Sequence, residues 1–228
     1  MSRSTRFALT DLLDNRNRAL YNHVSALRPV ELEPSSGDGW AEETEAARVA
    51  IYVGSSAYPS ACFAHELLHA KLELAGWRRP IVNSVEPGEH ELVAFLWNQL
   101  SHEKIFDEFR ALGYPPEHFL NDNDVKQAFD IYKRDMPLLK RLHKKAGGRP
   151  IRGPIAIPYI VSRSPHERHL ARPPVVAKML RLADQSYLAQ IDALFADWKA
   201  DTSHDAAGVF ARLYKLCGFS DVAFRNAP

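Results

Sequence analysis

His65 and His69 stand four residues apart, and Glu66 directly follows the first of them. On an α-helix, residues four apart lie one turn apart on one face, so both imidazoles can aim a ring nitrogen at a single point. Neutral imidazoles at that spacing suit Zn2+, which binds His nitrogen at about 2.0–2.1 Å. Glu66 would lie beside such an ion and not on it, where its carboxylate can take a proton from a water held on the metal. The chemistry implied is metal-assisted hydrolysis. The competing reading is a pair of helix-surface histidines that only satisfy local hydrogen bonds.

The neighbouring residues supply the helix this chemistry needs. Pro59 and Ser60 fit a helix start, Phe63, Leu67, Ala70 and Leu74 recur along one face, and Gly76 is a natural stop. Upstream, Ala47-Arg-Val-Ala-Ile-Tyr-Val-Gly54 is rich in β-branched residues and reads as a strand. Cys62 precedes His65 by about one turn and reads as a small core residue, with a thiolate near the metal as the alternative.

From residue 47 to about 112 the chain resembles the zincin metallopeptidases, through His65-Glu66-x-x-His69, the preceding strand and a polar helix after it. The resemblance implies that residues 48–54 form a sheet edge along which extended peptide substrate pairs. It also implies Zn2+ as cofactor and a third ligand, because a catalytic zinc takes three protein ligands and keeps one open position. Pro87-Gly88 breaks the chain before a second helix expected from about Glu89 to Leu112. In that helix Glu91, with Ala94 and Trp97, resembles the start of the ligand helix in ImmA/IrrE-like peptidases, which makes Glu91 the favoured third ligand. His90 is the rival, from the SprT-like pattern, and Glu89 comes after it.

Composition bounds the function classes. The 228 residues are 46% hydrophobic and 25% charged with net charge +1, an ordinary globular balance that gives no electrostatic reason to expect nucleic acid or an anionic membrane. No run of apolar residues is long enough for a membrane span. The N-terminal residues lack the apolar core of a secretory signal. Cys62 and Cys217 alone make no disulfide framework, so a reducing, cytoplasmic setting is expected.

Elsewhere, Leu9, Leu12, Leu13, Leu20, Val24 and Leu27 mark a buried helical stripe over residues 5–28, interrupted at Asp14–Arg18, and residues 29–40 read as a surface connection. His102 lies eleven residues after Glu91, about 16.5 Å along a helix, too far to share an ion with it. In the polar run Ser101-His-Glu-Lys104 it reads as a surface residue, as do His118 and Asp122 further on. A helix over 121–146 should kink or split at Pro137. Its basic end, Lys140–Lys145, reads as a solvated face. The proline-rich stretch 149–174 allows short strands at Ile155–Ile157 and Tyr159–Val161, and it offers Tyr159, Arg163, His166 or Arg168 as an oxyanion stabiliser. One long helix is expected from Val175 to about Ala200, then a final helix capped by Asp201, Thr202 or Ser203 and ended at Gly218.

The expected architecture is α+β: a predominantly helical, zincin-like domain with a small sheet beside the motif helix. Residues 1–120 would carry the catalytic part and residues 121–228 a helical C-terminal part of the same domain. The expected function is a zinc-dependent metallopeptidase in which His65, His69 and Glu91 hold the metal and Glu66 is the general base. Its partner would be a peptide or protein substrate. The alternatives are a regulatory zincin-like domain that binds a single partner, and hydrolysis of a non-peptide amide by the same machinery.

Overall fold

A computed structural model describes residues 7–37, 39–82, 89–120, 122–163, 174–219 and 224–225, with backbone alone for 82, 89–91, 122–133 and 174–176. The fold is α+β and strongly helix-weighted. Its elements are α1 (Leu9–Leu12), α2 (Arg18–Leu27), β1 (Val30–Pro34), β2 (Ala41–Thr44), β3 (Val49–Val53), α3 (Pro59–Leu74) and β4 (Ile81–Val82). There follow α4 (Glu89–Ala111), α5 (Asp122–Lys145), α6 (Ala156–Arg163), α7 (Pro174–Leu180), α8 (Gln185–Ala200), α9 (Ala206–Leu216) and β5 (Phe224–Arg225). The chain divides into two compact units, Met1–Gly76 with Lys104–Lys126, and Trp77–Glu103 with Gln127–Pro228. The helices α4 and α5 each contribute to both.

In the first unit a three-stranded sheet has the order β1-β3-β2, with β3 parallel to β1 and antiparallel to β2. The strand expected at the sheet edge is therefore the central one, and the edges are β1 and β2. Central position explains the composition of β3: Val49, Ala50 and Ile51 are buried, as a strand covered on both faces requires. Residues 29–40 are not a mere connection. Val30 and Leu32 alternate with Glu31 and Glu33 in β1, paired in register with Val49–Val53.

The helical stripe over residues 5–28 becomes two helices, and the polar interruption is built. Asn17 is buried; its amide donates to the Leu12 carbonyl at 2.8 Å and to the Ser60 carbonyl at 3.1 Å. Its side-chain oxygen accepts the Asp14 N–H at 3.0 Å. Leu12, Leu20 and Val24 are buried as the stripe requires, whereas Leu27 is 59% exposed.

In the second unit α5 continues through Pro137 without splitting. The expected strands at 155–161 are instead a 3-10 turn (Gly153–Ile155) and α6. Pro158 is tolerated because it falls in the first turn of α6, where its missing N–H has no intrahelical partner to lose. The long helix over 175–200 is two, broken where Asp184 caps α8 by accepting the N–H groups of Ser186 and Tyr187. The cap of α9 is Asp205, not Asp201, Thr202 or Ser203, and Gly218 ends it at φ +84°. Among the described residues no helix is long and apolar enough to cross a membrane.

Candidate metal centre

The motif helix α3 begins at Pro59, in the first turn where proline is favoured. It ends at Ala75, whose N–H donates to Lys71, before Gly76 at φ +103°. The sequence suggested one apolar face; the structure buries almost the whole circumference from Ala61 to Leu68, His65 and Glu66 included. The cause is that α3 packs against β2, β3, α1 and α2. His65 in such a helix is a buried polar group and His69 a half-buried one, which the fold tolerates best when they are neutral and engaged.

The rings of His65 and His69 converge, with their Nε2 atoms 3.0 Å apart. Desolvation holds the His69 imidazolium far below its ordinary range, at about 4, so the ring is neutral at pH 7 and keeps a lone pair to offer. Phe119 packs its ring 4.5 Å from that of His65, centroid to centroid, and fixes its orientation.

A third imidazole joins the pair. One ring nitrogen each of His65, His69 and His102 lie within 4.8 Å of one another. His102 is not the surface residue that its polar neighbours suggested; it is 1% exposed. The continuity of α4 explains its place. Ile105, Phe106 and Phe109 follow it by three, four and seven residues and are buried in the first unit's core, with Phe63, Leu67 and Phe119. His102 stands one further turn back along that stripe. Lys71 on α3 and Glu108 on α4 form an ion pair that ties the helices together.

The donor set fits a metal. Three imidazole nitrogens bound to one zinc at 2.0–2.1 Å in tetrahedral geometry lie about 3.3–3.4 Å apart, a spacing that falls between the 3.0 Å of the close pair and the 4.8 Å limit for all three. A single N–H···N hydrogen bond between two neutral rings also accounts for 3.0 Å. It does not account for a third buried imidazole arriving at the same point.

The other sequence candidates fall as follows. Glu66 is buried on α3 beside His65. Glu91, His90 and Glu89 lie in the first turn of α4, and their side chains are outside the described residues. Cys62 is a buried core thiol whose S–H donates to the Ser56 hydroxyl at 3.1 Å. His118 stacks on Tyr58 at 3.5 Å.

Two of the residues offered as oxyanion stabilisers are engaged elsewhere. The Tyr159 hydroxyl donates to Asp192 at 2.7 Å. Arg163 pairs with Glu103 at 2.8 Å and Asp192 at 2.9 Å. His166 and Arg168 are outside the described residues.

Comparison with known proteins found no matching family model, no matching curated protein and no matching solved structure. The functional reading therefore rests on the residues themselves.

Proposed function

We propose that the chain is a zinc-dependent hydrolase of peptide bonds, zincin-like in its motif, with His65, His69 and His102 as ligands and Glu66 as general base. The observation that carries this is the convergence of three imidazoles, from the motif helix and the helix after it, within 4.8 Å. His102 takes the place that the sequence offered first to Glu91. Residues 91 and 102 of one helix are about 16.5 Å apart along its axis, so they cannot serve the same ion.

A zinc held by His65, His69 and His102 would supply Lewis-acid chemistry, activating a water and a scissile carbonyl. The chain's own residues do the rest. Burial keeps His69 in the neutral form that a ligand must have. Glu66, one residue from His65, receives a proton from the attacking water and passes it to the leaving amine. Phe119 holds His65 in place. Two buried free cysteines suit a reducing compartment, in keeping with a cytoplasmic peptide or protein substrate.

A second reading, a zinc-fixed surface that binds one regulator without turnover, draws support from the burial of His65, Glu66 and His102. Digestion of a denatured-protein peptide library, read by mass spectrometry, separates the two. Cleavage by the native chain that disappears in a metal-replete Glu66→Gln variant supports the hydrolase. Full cleavage by that variant sinks the mechanism. Absence of cleavage with one stoichiometric co-purifying protein favours the binding domain.

A further inference from the structure

The net charge of +1 averages two oppositely charged parts. Between Met136 and Ala183 the chain carries eleven Lys and Arg and a single acid, Glu167, so this stretch holds +10 and the remainder −9. Two of the eleven are neutralised within the fold: Arg163 by Glu103 and Asp192, and Arg152 by Asp184. Arg168 and Arg172 are outside the described residues. The other seven are exposed, and none has an ion pair among the described residues.

In the second unit four of the seven lie on α5, Arg149 just beyond it, Lys178 on α7 and Arg181 in the turn after α7. On α5, Lys140 with Lys144 and Arg141 with Lys145 are two pairs each spanning one turn in adjacent rows, Arg141 and Lys145 facing away from the buried Met136 and Leu139 and Lys140 and Lys144 flanking them. Beyond α5 the chain returns to make a parallel bridge, Ile151 to Ala183. The Ile151 N–H donates to Leu182 at 2.8 Å, and the Asp184 N–H to Ile151 at 3.0 Å. Arg149 precedes Ile151 by two residues and Arg181 precedes Ala183 by two, so the bridge joins the two segments that carry them, with Lys178 a turn earlier on α7.

Like charges at such spacings destabilise a fold by a few tenths of a kcal/mol per pair. The helix dipole offsets this for Lys144 and Lys145 in the last turn of α5 and for Lys178 in the last turn of α7, but not for Lys140, Arg141 or Arg149. A polyanion does so for all of them. Leu138 is the one exposed large apolar side chain in the described part of this stretch, too little apolar surface for the face that an interfacial helix buries in a bilayer. No exposed aromatic among those residues offers a platform for unstacked bases.

We propose that this surface binds the phosphate backbone of a nucleic-acid duplex without reading its sequence. The inference is independent of the metal centre.

The test is fluorescence anisotropy of the full chain with a labelled DNA duplex of about 20 base pairs across a salt series. The expected result is binding whose logarithmic affinity falls with log salt at a slope of roughly −3 to −6, near 0.9 per phosphate contacted. Lys144→Glu with Arg149→Glu should weaken binding about tenfold or more and flatten the slope. The milder pair Lys140→Gln with Arg181→Gln should weaken it about threefold. Arg18→Glu with Arg110→Glu changes the total charge as much as the first pair but lies in the other unit, and it should have less than about a twofold effect. Circular dichroism checks that each variant is folded. Absence of salt-dependent binding, equal losses from patch and control reversals, or binding to phosphatidylserine vesicles without binding to the duplex would each overturn the proposal.

Discussion

Phe119 and His65 hold their rings 4.5 Å apart, and the same Phe119 lies 4.9 Å from Phe106 and 5.1 Å from Phe109. One buried ring thus links a candidate ligand on α3 to the stripe of α4 that continues to His102. Phe119→Ala should destabilise the protein by about 3–5 kcal/mol and weaken zinc binding on the order of tenfold. Phe119→Leu should recover most of the stability but not all of the affinity. Thermal denaturation and competitive zinc titration measure the two effects separately. Unchanged affinity in Phe119→Ala would remove its positioning role.

Asn17 joins the break between α1 and α2 to the first turn of the motif helix through its bond to the Ser60 carbonyl. Its removal takes the side-chain donor from the buried Leu12 carbonyl and the acceptor from the Asp14 N–H, at a cost of about 1–3 kcal/mol for each group left unsatisfied. Asn17→Ala should therefore lower stability by on the order of 2–4 kcal/mol in a denaturant titration. A loss below about 0.5 kcal/mol would mean that the polar break is decorative.

The buried pair of Glu103 and Arg163 sits one residue from His102. Breaking such a pair leaves a buried charge without compensation and costs about 3–5 kcal/mol. Arg163→Met should show that loss, and Arg163→Met with Glu103→Gln should restore much of it. A double variant as unstable as the single would show that the arginine matters through packing on Phe195, over which it lies at 4.1 Å.

Stability of the metal-free protein should depend on pH through two groups of opposite sign. Burial, then repulsion from Glu73, pushes the Glu42 carboxyl up from 4.5 to about 8. Across that window the folded chain keeps a proton that the unfolded chain has released, so stability falls as pH rises. Burial holds His69 down from 6.5 to about 4; there the unfolded chain carries the extra proton, and stability rises with pH. The slopes oppose each other between about 4.5 and 6.5, and Glu42 acts without that opposition from about 6.5 to 8. Calorimetry should show the Tm falling over that upper range and, in Glu42→Gln, a Tm at pH 8 higher by several degrees. An unchanged upper slope in the variant would contradict the assignment.

The sequence shows the motif pair because its geometry is local: a four-residue spacing places two imidazoles together wherever a helix forms. The third imidazole depends on which face of α4 turns inward. That signal was present in the apolar stripe Ile105, Phe106 and Phe109, three, four and seven residues beyond His102. It was masked because Ser101 and Glu103 read as solvated. Both are buried because Ser101 bonds the Trp97 carbonyl and Glu103 meets Arg163, sixty residues away, and no local pattern reports the second contact. Strand order is also non-local. The apolar run of β3 shows a strand but not its two neighbours, and Glu42 and Glu43 in β2 disguise an edge. The ends of α3 at Pro59 and Gly76 and of α9 at Gly218 were legible because backbone chemistry alone sets them.

The most direct measurement is metal content by elemental analysis, on the native chain beside His69→Ala, His102→Ala and Glu91→Ala. The account predicts about one zinc per chain, lost in the first two variants and retained in Glu91→Ala. Zinc retained in His102→Ala but lost in Glu91→Ala would contradict the proposed third ligand. A native chain that binds no metal when zinc is supplied at neutral pH would contradict the centre itself.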